Sequence, residues 1–239
     1  MILPGPDGSD VAVQDFRSLD FVGRMRHDIG RSFVSFLGAD KELEGGGNNR
    51  VFGPDFRLNL NEADTVTGQL LWSWSATPHR TDLAAEWDGR RLSGHGADVW
   101  WAHTTETWDW AAEYKDFSDG FRADLGFVPQ VGFREGYGEV GRTSRPTGFV
   151  SRLRTFFFAD YIADRDGGLV SQVVAPGVGI DTKYNGFARV ELRSERVRAG
   201  GVVLPRRRVV FQMNMVPSKA FAGVSLQGAV GEEIDFEGA

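Results

Sequence analysis

The stretch ETWDWAAEYKD, residues 106–116, decides how the rest of the chain is read. Its alternate positions give Trp108, Trp110, Ala112 and Tyr114 on one side. Thr107, Asp109, Ala111, Glu113 and Lys115 fall on the other. Successive side chains of a strand point to opposite faces, so this segment carries one aromatic face and one charged face. Such a strand fits a soluble sheet whose Trp face is covered. It equally fits a sheet whose Trp face meets lipid and whose charges line a wet interior.

The same period of two recurs along the chain, and helical periodicity is almost absent. Leu19, Phe21, Gly23 and Met25 alternate with Asp20, Val22, Arg24 and Arg26. Phe56, Leu58 and Leu60 repeat the pattern, as do Val66, Gly68, Leu70, Trp72 and Trp74. Ala188, Val190 and Leu192 carry it on, then Val209, Phe211, Met213 and Met215, and finally the smaller residues of 219–230. These stripes predict an all-β fold: an antiparallel up-and-down meander of about 12 strands, which fits the wall of a transmembrane β-barrel as well as a soluble sheet. Residues 1–16 are expected to be a disordered or extended N-terminal segment, and 17–236 the barrel domain.

Composition narrows the classes. Of 239 residues, 41% are hydrophobic and 25% charged, which is globular, and 31 Gly with 18 Phe favour strands and turns. A net charge of −6 argues against a generic nucleic-acid binder. With no Cys, disulfides and cysteine chemistry are excluded. No apolar run reaches the ~18 residues of a membrane helix, which leaves strands as the only way across a bilayer. MILPGPDGSD at the start lacks the charged and apolar regions of a signal peptide, so an exported form is expected to have a longer precursor.

Short turns are predicted at HDIGR, NEAD, HTTE, GEVGRTS, TKYN and VPS. Longer loops are predicted at 39–49, 76–93, 116–129, 163–168 and 195–206. That alternation is the pattern of outer-membrane barrels. On it, Trp101, Trp108 and Trp110 gather near the short-turn end of the apolar face, and Trp74, Tyr161 and Phe117 near the loop end. Two aromatic belts of this kind match the interfacial girdles of a membrane barrel. The expected membrane-interface aromatics are therefore Trp74, Trp101, Trp108, Trp110 and Tyr161. Expected lumen-facing residues are Asp109, Glu113, Arg122, Asp124, Arg152, Arg154, Arg189, Glu191 and Arg193.

Catalytic patterns are sparse. His27, His79, His95 and His103 form no close ligand pair, and neither a GxSxG elbow nor a P-loop occurs. GGGNN, 45–49, reads as a loop because no helix follows it. ADRDGG, 163–168, lacks the remaining ligands of a calcium loop and reads as a turn. Asp109 with Glu113, and Asp119 with Asp124, are carboxylate pairs of the type used in glycosidic acid–base chemistry, though acids balanced by Arg are ordinary contents of a barrel wall. DFSDGFRADLGFVP, 116–129, reads as an external loop or as a constriction that presents Arg122 and Asp124. RVRAGGVVLPRR, 196–207, is a basic stretch suited to solvent or to anionic lipid head groups.

Several stretches carry a family resemblance: NRVFGPDFRLNLNEADTVTGQ (49–69), TWDWAAEYKDFSDGFRADLGFVPQVGFREG (107–136), RPTGFVSRLR (145–154), RVRAGGVVLPRR and GEEIDF (231–236). Together they resemble an uncharacterised family of bacterial outer-membrane β-barrel proteins, from about Arg24 onward, with DFSDGFRADLGFVP the most specific part. Members of that family commonly carry an N-terminal domain similar to carbohydrate-binding module family nine. The resemblance implies an internal fragment of a longer protein, with further strands beyond GEEIDF, so that the 12-strand meander forms most of a transmembrane β-barrel, open or incomplete. It implies an outer-membrane location, lipid as a partner, and a pore or binding scaffold linked to glycan or oligosaccharide handling. No enzymatic activity, cofactor, metal or nucleic-acid partner is expected. The alternatives are a soluble all-β carbohydrate-binding module with the Trp face inside and, more distantly, a glycoside-processing enzyme.

Overall fold

A computed structural model of the chain describes residues 1–183, 185–216 and 223–236. Among these residues every regular element is a strand. After a short hairpin of β1 (Ile2–Gly5) and β2 (Gly8–Val11) come β3 (Ser18–Ile29), β4 (Ser32–Leu43), β5 (Asn48–Asn59), β6 (Asp64–Ala76) and β7 (Arg91–Thr104). They are followed by β8 (Trp108–Phe117), β9 (Phe133–Ser144), β10 (Val150–Asp164), β11 (Leu169–Thr182), β12 (Gly186–Ala199), β13 (Val202–Met215) and β14 (Val224–Gly231). Strands β3 to β14 form one 12-stranded sheet in which each strand neighbours the next along the chain. The meander expected from the alternation is present. Among the described residues no pairing joins β3 to β14, so no closed barrel is seen. Residues 2–11, expected to be disordered or extended, form the two-stranded hairpin.

Turn lengths differ from the expectation in four places. GEVGRTS lies inside β9, and the turn follows it at 145–149. The stretch 39–49 is mostly strand, closed by a tight turn in which Gly45, Gly46 and Gly47 all take positive φ. Residues 195–206 are likewise strand on both sides of Gly200 and Gly201, at φ 56° and 82°. The left-handed region that these glycines reach lets a chain reverse within two to four residues, where other side chains are strained. The stretch 163–168 is also a short turn, since β10 runs to Asp164 and β11 starts at Leu169. Among the described residues, only 77–90 and 118–132 are long connections. In VPS, Pro217 and Ser218 lie outside the described residues, as do Lys219 to Ala222.

The chain divides into two compact units. One comprises Met1–Trp101, Glu113–Glu135 and Asp164–Gly167, the other Ala102–Ala112, Gly136–Ala163 and Gly168–Ala239. In the first unit, register places Met25 opposite Phe36, Phe36 opposite Pro54, Phe52 opposite Trp72, and Leu58 opposite Val66 on a single face. Met25, Phe36, Phe52 and Trp72 are all exposed there. Arg24, Ser35, Asp55 and Lys41 occupy the opposite face.

The second unit repeats this division. Val178, Val190 and Phe211 face one way in adjacent strands, with Leu192, Val209 and Val230 beside them. Gly179, Arg189 and Gln212 face the other way, as do Val173, Glu195 and Arg206. Its exposure is inverted relative to a water-soluble sheet. Leu226 is 52% exposed while Glu191 and Glu195 are 5% and 3%. Charged residues are rarely this buried unless paired, and large contiguous apolar surfaces are rarely left open.

Candidate functional site

The charged face holds the candidate site, and each unit contributes its own cluster. In the first, the 118–132 connection lies over the face instead of extending away from it. Phe121 is fully buried against Val51 and Val131, with Ala39, Leu71 and Phe117 around them. Asn49 on β5 anchors the connection. Its Nδ2 donates to Arg122 O at 3.0 Å and to Ser75 Oγ at 2.7 Å, and its Oδ1 accepts from Asp124 N at 3.0 Å. Ser73 Oγ accepts from Arg122 N at 3.0 Å. A buried amide with all these bonds made fixes the loop, and losing any of them strands a polar group. The N-terminal hairpin braces the other side: Val131 N donates to Gly5 O and Gln130 Nε2 donates to Pro6 O.

Close backbone approach also explains two glycines. A side-chain carbon on Gly94 of β7 would strike Phe121 N, and one on Gly120 would strike Ser93 O. Valine suits a strand, so Gly94→Val should leave β7 intact and lift the connection. The expected cost is about 1–3 kcal/mol, the range for overpacking. Limited proteolysis should then cut within 118–132 several-fold faster than in the unsubstituted protein.

Arg122 and Asp124, expected to face the lumen, lie within the connection itself. The Arg122 guanidinium is buried and folds onto its own loop, donating to Asp119 O at 2.8 Å and Phe121 O at 2.9 Å. Burial holds the Asp124 carboxyl above the usual range, partly offset by Lys41 and Arg122. A carboxyl raised on folding binds its proton more tightly in the folded state. Its contribution to stability therefore falls as pH rises from the unfolded value through the folded one. The Tm difference between Asp124→Asn and the parent should accordingly grow in favour of the variant from pH 3 to pH 6, as read by thermal melts. A flat difference would contradict this assignment.

Elsewhere in the first unit, Lys115 Nζ sits 3.0 Å from Glu113 Oε2 and 3.3 Å from Glu135 Oε1. Arg24 bridges Asp55 and Ser35. In the second unit Arg154 joins three strands, since its guanidinium pairs with Asp109 of β8 and Glu139 of β9. Tyr137 Oη donates to Glu139 at 2.7 Å. On β12, Arg189 Nε and Arg193 Nε donate to the two oxygens of Glu191 at 2.6 and 2.7 Å. Glu195 is held by Arg206 at 2.6 Å and Arg208 at 3.0 Å. Below the arginines lie Phe156 and Phe158, buried with Ala175. The Arg189 guanidinium stands 4.1 Å over the Phe156 ring. Arg152 meets Asp181 at 3.4 Å on a half-exposed side chain.

Of the nine residues expected on this face, Asp109, Arg152, Arg154 and Arg189 come together around one hollow of about 510 Å³. Glu113, Arg122 and Asp124 belong to the first unit and do not join it. Sequence reading placed Lys115 on this face with Glu113 but missed Glu139, Glu195, Arg206, Arg208 and Glu135. Glu195 continues the alternation of Arg189, Glu191 and Arg193, which is a signal that was available. Of the carboxylate pairs, Asp109 and Glu113 are each ion-paired, with Arg154 and Lys115 respectively.

The expected interface aromatics stand on the opposite face. Trp74 is exposed and stacks on Phe52 at 4.9 Å, and Tyr161 is exposed near the end of β10. Trp101 Nε1 donates to Asp64 at 3.1 Å. Trp108 is 47% exposed with Arg142 over its ring, and Trp110 lies flat on His103 at 3.6 Å. Phe117, expected among the loop-end aromatics, turns to the charged face and packs on Phe121 at 5.7 Å. It sits at an odd position of β8, in phase with Asp109 and Glu113. No protein-family model, curated protein or solved structure matches the chain.

Proposed function

We propose that the sheet is the wall of a bacterial outer-membrane β-barrel, acting as a pore or ligand-binding scaffold without catalytic chemistry of its own. The supporting observation is the inverted exposure: apolar side chains lie open on one face, and ion-paired side chains crowd the other. Lipid satisfies the first face and a wet interior the second. Strands of 10 to 15 residues in β3–β13 meet or exceed the ~9–11 needed to cross a bilayer at a tilt. Trp74, Trp101 and Tyr161 near the ends of β6, β7 and β10, with Trp108 and Trp110 at the start of β8, suit side chains that anchor strands at an interface. Glycan or oligosaccharide handling enters through the resemblance to the carbohydrate-associated outer-membrane family. Lipid contact also disposes of the edge strands β3 and β14 only if they are paired, since an open edge has no place in hydrocarbon.

Outer-membrane fractionation, flotation with lipid vesicles, and heat-modifiable migration on gels test the reading. Membrane fractionation with a mobility shift on boiling is expected. A protein that stays monodisperse in buffer without detergent would sink it, and would favour a soluble module instead.

A further inference from the structure

The geometry points to the hollow on the charged face of the second unit as a binding site for a carboxylate-bearing saccharide of one or two sugar units. This deepens the proposed function and rests on it for the access of water to that face. The volume of about 510 Å³ is within the range of small-molecule sites. Its arginines are not equivalent. Arg154 is committed to Asp109 and Glu139, and Arg189 is held by Glu191 over Phe156. These two are structural.

Arg152 and Arg145 are different. Both are exposed at the mouth; Arg152 touches Asp181 through one long contact, and Arg145 Nη1 donates to the backbone oxygen of Glu106 at 2.8 Å. Guanidinium forks with donors to spare are matched in shape and charge to a carboxylate. A register shift between Val150 and Arg152 sets the angle of Arg152, as bulges commonly do beside sites.

The acids select what the carboxylate is attached to. Glu106 and Asp181 also line the hollow, and they repel a compact polyanion. They accept hydrogen bonds from hydroxyls, which a sugar supplies in number. One carboxylate for the arginines and several hydroxyls for the acids together describe a uronic acid.

A glycine keeps the hollow open. A side-chain carbon on Gly179 of β11 would meet nothing closer than Ala188 O at 3.8 Å, and the residue has no positive φ. Leucine therefore fits the strand at this position and fills the space. Gly179→Leu blocks the site without touching a charge, and Arg152→Gln removes the carboxylate partner without filling it.

The test is calorimetric titration of the detergent-solubilised full chain with digalacturonate, maltose and inorganic sulfate, alongside vesicle flotation. Saturable digalacturonate binding is expected, with maltose and sulfate each weaker by about ten-fold or more. Both variants should weaken digalacturonate by about ten-fold or more while retaining the heat-modifiable fold. Absent binding, equal binding of maltose, full competition by sulfate, or indifference to either variant each overturns the inference. A protein that floats with vesicles yet ignores digalacturonate loses this site and keeps the wall reading. One that binds digalacturonate while soluble without detergent loses the wall reading alone.

Discussion

Val190→Arg should destabilise the protein in a bilayer by about 2–4 kcal/mol, the cost of a cation on the lipid face near the midplane. Val190 stands mid-strand in β12, between Val178 and Phe211, and is 38% exposed. The informative comparison is Val210→Arg, one residue out of phase with Phe211, on the face that carries Glu191. There a cation meets a carboxylate and water, and the change should remain within about 1 kcal/mol. Denaturant titrations of the protein folded into vesicles, followed by Trp fluorescence, measure both. If water meets the Val190 face, the arginine there becomes a surface substitution, worth within about 0.5 kcal/mol. Equal and small effects at 190 and 210 would therefore remove the membrane from the picture.

The second large effect is expected at Arg154. Its guanidinium is mostly buried, and both partners, Asp109 and Glu139, are largely withdrawn from water. Arg154→Met keeps the length of the side chain and leaves two carboxylates facing one another without a cation. Breaking a fully buried pair costs about 3–5 kcal/mol, and the residual hydration here argues for about 2–4. Arg154→Lys should recover only part of this, because an ammonium cannot reach both acids with the planar fork that Arg presents. Adding Glu139→Gln to Arg154→Met should restore stability, which makes the double variant a check that charge, and not volume, is responsible. Gly141 belongs to the same arrangement, since a side-chain carbon there would strike the Arg154 guanidinium. Denaturant midpoints of the three variants report the effect.

Much of this face was legible in the chain because strand geometry fixes parity. Once Trp108 is set on one side, Asp109 must fall on the other, and the same logic sets Arg189 and Glu191 across from Val190 within β12. Parity carries no register, however. Nothing local to β9 says that Glu139 will stand beside Arg154, or that Glu195 will lie between Arg206 and Arg208. Those partners depend on where each turn closes, and the turns were the weakest part of the reading. Glycine runs at 45–47 and 200–201 read as loops, while their positive φ values make them tight reversals with strand on both sides. The loop at 118–132 was found, yet its course over the charged face was not. That course follows from Asn49, Ser73 and Gly94, residues distant in sequence that meet it only in the folded chain.

Every strand of the large sheet pairs with its neighbour along the chain, and the ion clusters of the second unit stay within two or three successive strands. Such a design has a genetic consequence. A hairpin duplicated or lost between β12 and β14 would reroute no connection and would leave the Arg154 cluster untouched. Recombination can then change the width of the sheet in steps of two strands while the chemistry of each hairpin travels with it as a unit of inheritance.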